Sequence, residues 1–393
     1  MEGRSQIKSD LLKTVMLGSF AFGIMPFILP IYSKTIGGNA MAIGGLFSVF
    51  SVVSILFRPF VGRGLDRFGR KKFLVIAFFI YAISMLLFSY STSLALLYVS
   101  RVVQAVGASF MWISAYSITM DITEQKKRGE AIGSVDGASS RGALYGAIIG
   151  FVLLSQMALM SGWNLLFKGF AILSVIAGVL AYRYIPETKK QLGAEYTQQT
   201  SVISRDFRKL LSVVFITALS TSMLSPILMI YLQDRFSENI GTLATAYIPA
   251  ALVYVLLPSR LGSFSDKYGR IIPMVIGLIG SGIVSLGLPH SESITVLALL
   301  WVLESIGIAM ASPAEEALVA DIAGNDIRGA AYGWYLFASS LGASLGPLIG
   351  GWLYDSYGHV VPFELNGVIL LVNGWLVMIL FRKTKWYKTS TEW

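Results

Sequence analysis

Apolar residues run in stretches of about 20 along almost the whole chain, separated by short polar segments. A helix of that length, rising 1.5 Å per residue, crosses the roughly 30 Å of hydrocarbon in a bilayer. Lipid offers no partner to an open backbone, so these stretches are expected to be helices. The pattern predicts twelve spans, near residues 11–33, 40–58, 73–91, 93–119, 130–156 and 163–184, then 211–232, 241–258, 271–289, 293–320, 329–354 and 361–381. One long polar segment, from Pro186 to Lys209, interrupts them. It divides the chain into an N-terminal bundle (1–185), a linker (186–209) and a C-terminal bundle with a short basic tail (210–393).

The two halves repeat. Laid over one another two hundred residues apart, 62–150 and 262–350 align without a gap, and nearly a third of positions are identical. Gly62, Asp66, Gly69 and Arg70 match Gly262, Asp266, Gly269 and Arg270. Asp121 matches Asp321, and Arg128 matches Arg328. Gly142, Gly146 and Gly150 match Gly342, Gly346 and Gly350. An even number of spans per half preserves orientation. Such repeats are expected to place a site at their interface near the midplane and to work by alternating access.

Composition sharpens this reading. Of 393 residues, 55% are hydrophobic and 13% charged, half the charge of a soluble domain. The net charge of +9 would suggest nucleic acid in a soluble protein. Here most Lys and Arg fall in the N-terminal tail, the even-to-odd loops, the linker and the C-terminal tail. That bias predicts both termini in the cytoplasm. The N-terminus runs into a first span too long for a cleavable signal, and no Asn-x-Ser/Thr acceptor occurs, as in a bacterial cell-membrane protein. There is no cysteine, and the two histidines fall in outer loops. No catalytic nucleophile and base, metal site or cofactor is expected, hence no enzyme. No phosphate-cradling G-x-x-x-x-G-K-[S/T] run is present, so ATP is not the expected energy source.

The segment Gly62-Arg63-Gly64-Leu65-Asp66-Arg67-Phe68-Gly69-Arg70-Lys71 resembles the signature loop of the major facilitator superfamily. A shorter copy runs from Gly262 to Arg270. Arg101-Val102-Val103-Gln104-Ala105-Val106-Gly107 and Pro186-Glu187-Thr188 are similar to further motifs of that family. The resemblance covers the whole chain. It implies an all-α fold of twelve transmembrane helices in two pseudo-symmetric six-helix bundles. It also implies secondary transport and a cytoplasmic latch built from Gly62, Asp66, Gly69, Arg70, Asp121, Arg128, Asp266 and Arg270. The residues agree with a latch: Gly62 and Gly69 permit a tight turn, Asp66 suits a helix N-terminus, and Arg70 can pair with Asp66 and Asp121. The run Gly342-x-x-x-Gly346-Pro347-x-x-Gly350 resembles an antiporter motif. With Gly142 and Gly146 it also serves close helix packing.

Positions where the halves differ are the candidates for substrate and proton. A charge at bilayer depth costs about 2.5 kcal/mol or more, so it is paired or lines a wet cavity. Arg101, Arg141 and Glu304 fall near the midplane, and Asp136 about 10 Å from the cytoplasmic end of its span. Arg101 with Asp136, or Arg141 with Glu304, are possible pairs. Glu304 is the expected proton-coupling carboxylate, the other reading being a structural ion pair. Gln104, Trp112, Tyr116 and Tyr145 are expected beside a cavity, and Arg101 as substrate contact or counter-ion. Glu315 and Glu316, beyond Pro313, are expected at a solvated helix end.

The expected function is proton-coupled export of a small amphipathic or cationic molecule by a monomer whose partners are substrate, protons and the bilayer. Uptake of a sugar or organic anion, flipping of a lipid or lysolipid, and a non-transporting receptor are the alternatives.

Overall fold

The computed structural model describes residues 2–124, 127–189, 204–323 and 328–382. They form fourteen α-helices joined by short turns. Eleven helical stretches among the described residues are long and apolar enough to cross a membrane, and a shorter apolar helix, Ile240–Tyr254, stands where the eighth span is expected. The protein is thus an all-helical multi-pass membrane protein. Most of the linker and the basic tail lie outside the described residues.

Contacts divide the chain into two compact units, Met1–Gly38 with Val49–Thr197 and Asn39–Ser48 with Gln198–Trp393. In the first unit the helices are α1 (Glu2–Gly18), α2 (Phe20–Thr35), α3 (Ala40–Phe68), α4 (Arg70–Ser89), α5 (Leu94–Ile122), α6 (Arg128–Gln156) and α7 (Leu159–Tyr184). The first ten residues of α3 group with the second unit. That unit contains α8 (Arg205–Arg235), α9 (Ile240–Leu256), α10 (Pro258–Tyr268), α11 (Ile271–Gly287), α12 (Ile294–Ala323), α13 (Arg328–Tyr357) and α14 (Val361–Phe381).

Three features differ from the sequence-based expectation. The first span is two helices, broken at Ser19, whose hydroxyl accepts from Ser139 at 3.0 Å. The loop after the eighth span is itself helical: α9 ends at Leu256 and α10 starts at Pro258, whose missing N–H ends one ladder and opens the next. Gly62 does not turn the chain: α3 runs through the signature to Phe68, and the turn is made at Gly69, with φ +97°. Gly269 repeats that conformation at φ +81°. Left-handed backbone of this kind is the reason for glycine at both positions.

Each unit packs around its own core. Leu11, Val15, Leu74, Phe78, Met111 and Ile118 form the first, and Leu210, Val213, Met274, Leu318, Leu370 and Val377 part of the second. Lipid is as apolar as leucine, so the drive to pack comes from close approach. A side chain at Gly142 would strike the Met16 carbonyl, and one at Gly146 the Phe20 carbonyl, so α6 lies directly on α1 and α2. In the second unit, Gly342, Gly346 and Gly350 bring α13 equally close to Phe215, Leu219 and Met223 of α8. Pro347 stands in α13 with its carbonyl against Gly44. Outward-facing side chains such as Ile83, Ile172, Val179, Leu299 and Val372 are exposed, as a lipid-facing surface requires.

Candidate functional site

The first unit buries a cation. Arg101, on α5, is 5% exposed, and its guanidinium donates to Gln104 Oε1 at 2.7 Å. Gln104 Nε2 donates in turn to the Tyr81 hydroxyl on α4, at 3.1 Å. The guanidinium also stands 4.5 Å from the ring centroid of Phe50, on α3. A planar cation over an aromatic face, with a side-chain oxygen in line, is a geometry available to arginine and not to lysine.

An aromatic file continues from this cation along the unit. Phe22 lies 5.6 Å from Tyr81 and 6.2 Å from Trp112, and Trp112 stacks on Tyr116 at 5.6 Å. Tyr116 ends the file by donating to Asp136 Oδ1 at 2.5 Å. The Asp136 carboxylate therefore has a phenol as partner. Arg141 is exposed on the same helix as Asp136. Tyr145 is 46% exposed, 6.3 Å from Phe20 and outside the Phe22–Trp112–Tyr116 file.

The second unit buries polar groups of the opposite kind. Glu304, on α12, accepts at Oε1 from Asn366 Nδ2 of α14, at 3.3 Å. Asn366 is fully buried; it accepts from Ser220 of α8 at 2.6 Å and donates to Ser285 of α11 at 2.8 Å. Four helices thus meet at one amide, and among the described residues no cation pairs with the carboxylate it holds. Tyr254 of α9 faces the same carboxylate, and Tyr247 packs edge-on to Trp301 at 5.7 Å.

The two signature segments make matching clusters. Arg70 reaches Asp121 at 3.1 Å and Asp66 at 3.3 Å. Arg270 reaches Asp321 at 2.9 Å and also pairs with Asp266. Asp121 is the more enclosed partner, its side chain 20% exposed against 65% for Asp66. Glu187 completes the first cluster by accepting from the backbone N–H of Arg70 at 2.8 Å and Lys71 at 3.2 Å. It so caps α4, while Thr188 donates to Asp121 at 3.1 Å. Partial burial alone would push the Glu187 carboxyl up. The N–H groups of Arg70, Lys189, Lys71 and Thr188 outweigh that and hold it below the usual carboxylate range. The side chain of Arg128 lies outside the described residues.

Sequence reasoning placed Glu315 at a solvated helix end, and the structure corrects this. α12 continues unbroken through Pro313 to Ala323 and turns Glu315 inward, where it is 7% exposed. Glu316, one residue on, is exposed and accepts from the Tyr335 hydroxyl at 3.4 Å.

A family model of the Major Facilitator Superfamily matches the chain twice, over residues 12–213 and 210–391. Multidrug resistance protein 2 of Bacillus subtilis (strain 168) is 25% identical over 385 residues, covering 94% of each chain. The chromaffin granule amine transporter of Rattus norvegicus is 25% identical over 84% of this chain and 64% of its own length. Among solved structures, a bacterial homologue of the human lysosomal transporter Spinster, inward-facing and occupied, superposes with a TM-score of 0.82 over 97% of both chains at 16% identity.

Proposed function

This chain belongs to the Major Facilitator Superfamily, and we propose that it exports small amphipathic organic cations across the cell membrane in exchange for protons, by alternating access, with both termini cytoplasmic. That it is a membrane transporter follows from the family and from its relatives. The observation that carries the finer reading is Glu304 at bilayer depth, held by the neutral amide of Asn366. A carboxylate neutralised by an ion pair has no reason to exchange a proton. One that meets a neutral donor keeps that hydrogen bond through its carbonyl oxygen when the acid forms, so charge does not lock it in one state.

The aromatic file of the first unit supports the substrate class. Phe22, Tyr81, Trp112 and Tyr116 offer π faces, and Asp136 offers an anion at the end of the file. A flat organic cation is recognised by those two groups together. The names of two groups of relatives, multidrug resistance proteins and amine transporters, fit the same class of cargo.

A second reading, uptake of an organic anion, is favoured by the buried guanidinium of Arg101. One experiment separates the two. The protein is reconstituted in liposomes holding an internal pH dye, a proton gradient is imposed, and lipophilic cations and organic acids are added in turn, with wild type and Glu304→Gln in parallel. Cation-dependent proton flux that vanishes in Glu304→Gln upholds the proposal. Proton flux driven only by acids replaces export with uptake. No proton flux from a folded, ligand-binding protein rejects proton coupling.

A further inference from the structure

Glu315 has no part in the function proposed above, yet it is the most deeply enclosed carboxylate among the described residues. It lies in the last third of α12, among Ala311, Ala314 and Leu318 of its own helix, all buried. Groups from two neighbouring helices and from its own helix face it. From α8 comes the hydroxyl of Thr217. From α13 comes Tyr335, itself buried, with the ring of Tyr332 5.5 Å from its own. On its own helix the charged neighbour is Glu316, another carboxylate. Arg270, which precedes α11 and reaches Asp321 near the end of α12, is engaged with Asp266 and Asp321.

The two adjacent carboxyls therefore sit in different settings. Glu316 is exposed and has a phenol donor in Tyr335. Glu315 is enclosed with a like charge beside it. Two ionised groups there would combine burial with repulsion, and neutralising one of them by a proton removes both penalties.

Hydrogen-bond capacity allows the enclosed carboxyl to be accommodated with or without its proton. Thr217 Oγ1 lies 3.1 Å from the Val213 carbonyl and is approached by Asn373 Nδ2 of α14 at 2.9 Å. Asn373 Nδ2 also donates to that same Val213 carbonyl, at 3.2 Å. With Val213 supplied by Asn373, the Thr217 hydroxyl proton is free to turn. It donates to Glu315 when the carboxylate is ionised. When Glu315 is protonated, Thr217 turns to Val213 and accepts from the acid. A separate observation points to exchange with water: Asn373 is fully buried, and its Oδ1 has no donor among the described residues. A buried acceptor of that kind is satisfied by water or hydronium, the carrier a proton needs to reach this depth.

We propose that Glu315, with Thr217 and Asn373 as its hydrogen-bond switch, is a second proton-binding site of the second unit, loading independently of Glu304. It adds a second proton position to the proposed exchange, but its test needs no transport. The full chain in lipid vesicles is titrated while infrared difference spectra record the carboxyl C=O stretch of wild type, Glu304→Gln, Glu315→Gln, Glu316→Gln and Thr217→Val. The expected result is a titrating C=O band that persists in Glu304→Gln and Glu316→Gln, is lost in Glu315→Gln, and moves in frequency in Thr217→Val. Should Glu315→Gln fail to fold, the band's displacement in Thr217→Val decides alone. A C=O signal that is wholly removed by Glu304→Gln, or that Thr217→Val leaves unmoved, overturns the proposal. If the Glu304 band is absent and the Glu315 band present, the coupling role of Glu304 fails while the second site stands.

Discussion

Asn366 donates to Glu304 across 3.3 Å, and the same buried amide is fixed on its other sides by Ser220 and Ser285. The carboxylate is thus oriented by α14, and through it by α8 and α11. Hydrogen bonds between membrane helices average about 0.6 kcal/mol each, so losing three costs the fold only about 2 kcal/mol. The effect on coupling is expected to be larger than the effect on stability. Asn366→Leu should fold, bind substrate within a few-fold of wild type, and lose about tenfold in proton-coupled flux. Unchanged flux in the liposome assay would mean that Glu304 needs no such orientation.

Arg101 provides a contrast, because its surroundings are selective for a flat cation. Its partners include the Gln104 oxygen at 2.7 Å and the Phe50 ring at 4.5 Å. Lysine keeps the charge but loses the planar face and the fixed fork of donors. Arg101→Lys should therefore behave nearly as badly as Arg101→Gln, each losing more than tenfold in transport. Arg101→Ala should be worse for folding, since it leaves the buried Gln104 oxygen without its donor, at a cost of about 1–3 kcal/mol. Rescue by lysine in a transport assay would reduce the role of Arg101 to bare charge.

The spans and the paired signatures were legible because hydropathy and glycine placement are local properties, and both recur in the two halves. The break at Ser19 had a local signal, the Gly18-Ser19 pair, which the apolar run around it concealed; its partner Ser139 lies far away in sequence. Glu315 was misplaced because Pro313 suggests a helix end, whereas α12 passes through it. Asn366 and Asn373 were missed although a signal existed. They stand seven residues apart, on one helix face, where the first half has Leu166 and Leu173. At the same two-hundred-residue offset that sets Gln104 opposite Glu304, these two asparagines stand opposite leucines in the last span. The hydrogen-bond partners themselves come from four helices and have no trace in spacing.

The signature clusters predict an order of effects among their own acids. Asp121 meets Arg70 at 3.1 Å with its side chain largely enclosed, and it also accepts from Thr188. Asp66 meets the same arginine at 3.3 Å but is 65% exposed. A screened, exposed pair contributes little. An enclosed, charge-assisted contact is worth about 1.5–3 kcal/mol. Asp121→Asn should lower the thermal midpoint clearly, Asp66→Asn scarcely, and Asp321→Asn should resemble Asp121→Asn because Arg270 repeats the geometry. If Asp66→Asn destabilises as much as Asp121→Asn in a thermal melt, exposure is not what ranks these pairs.

The cap on α4 gives a prediction in pH. Glu187 accepts from the N–H groups of Arg70 and Lys71 at the start of the helix, where the backbone dipole also favours an anion. These contacts hold its carboxyl below the usual range, so its ionised form is bound more tightly in the folded chain than in the unfolded one. The sign follows. Above the ordinary glutamate value of about 4.3 the cap contributes in full, and the contribution is lost as pH falls through the depressed folded value. Amide hydrogen exchange reads this directly. Protection of Arg70 and Lys71, corrected for intrinsic rates, should be constant from neutral pH down to the ordinary carboxylate range and then decline. Glu187→Gln, which keeps an acceptor but cannot ionise, should show weaker protection with no such decline. Equal protection in both proteins at every pH would assign the capping of α4 to something other than the charge on Glu187.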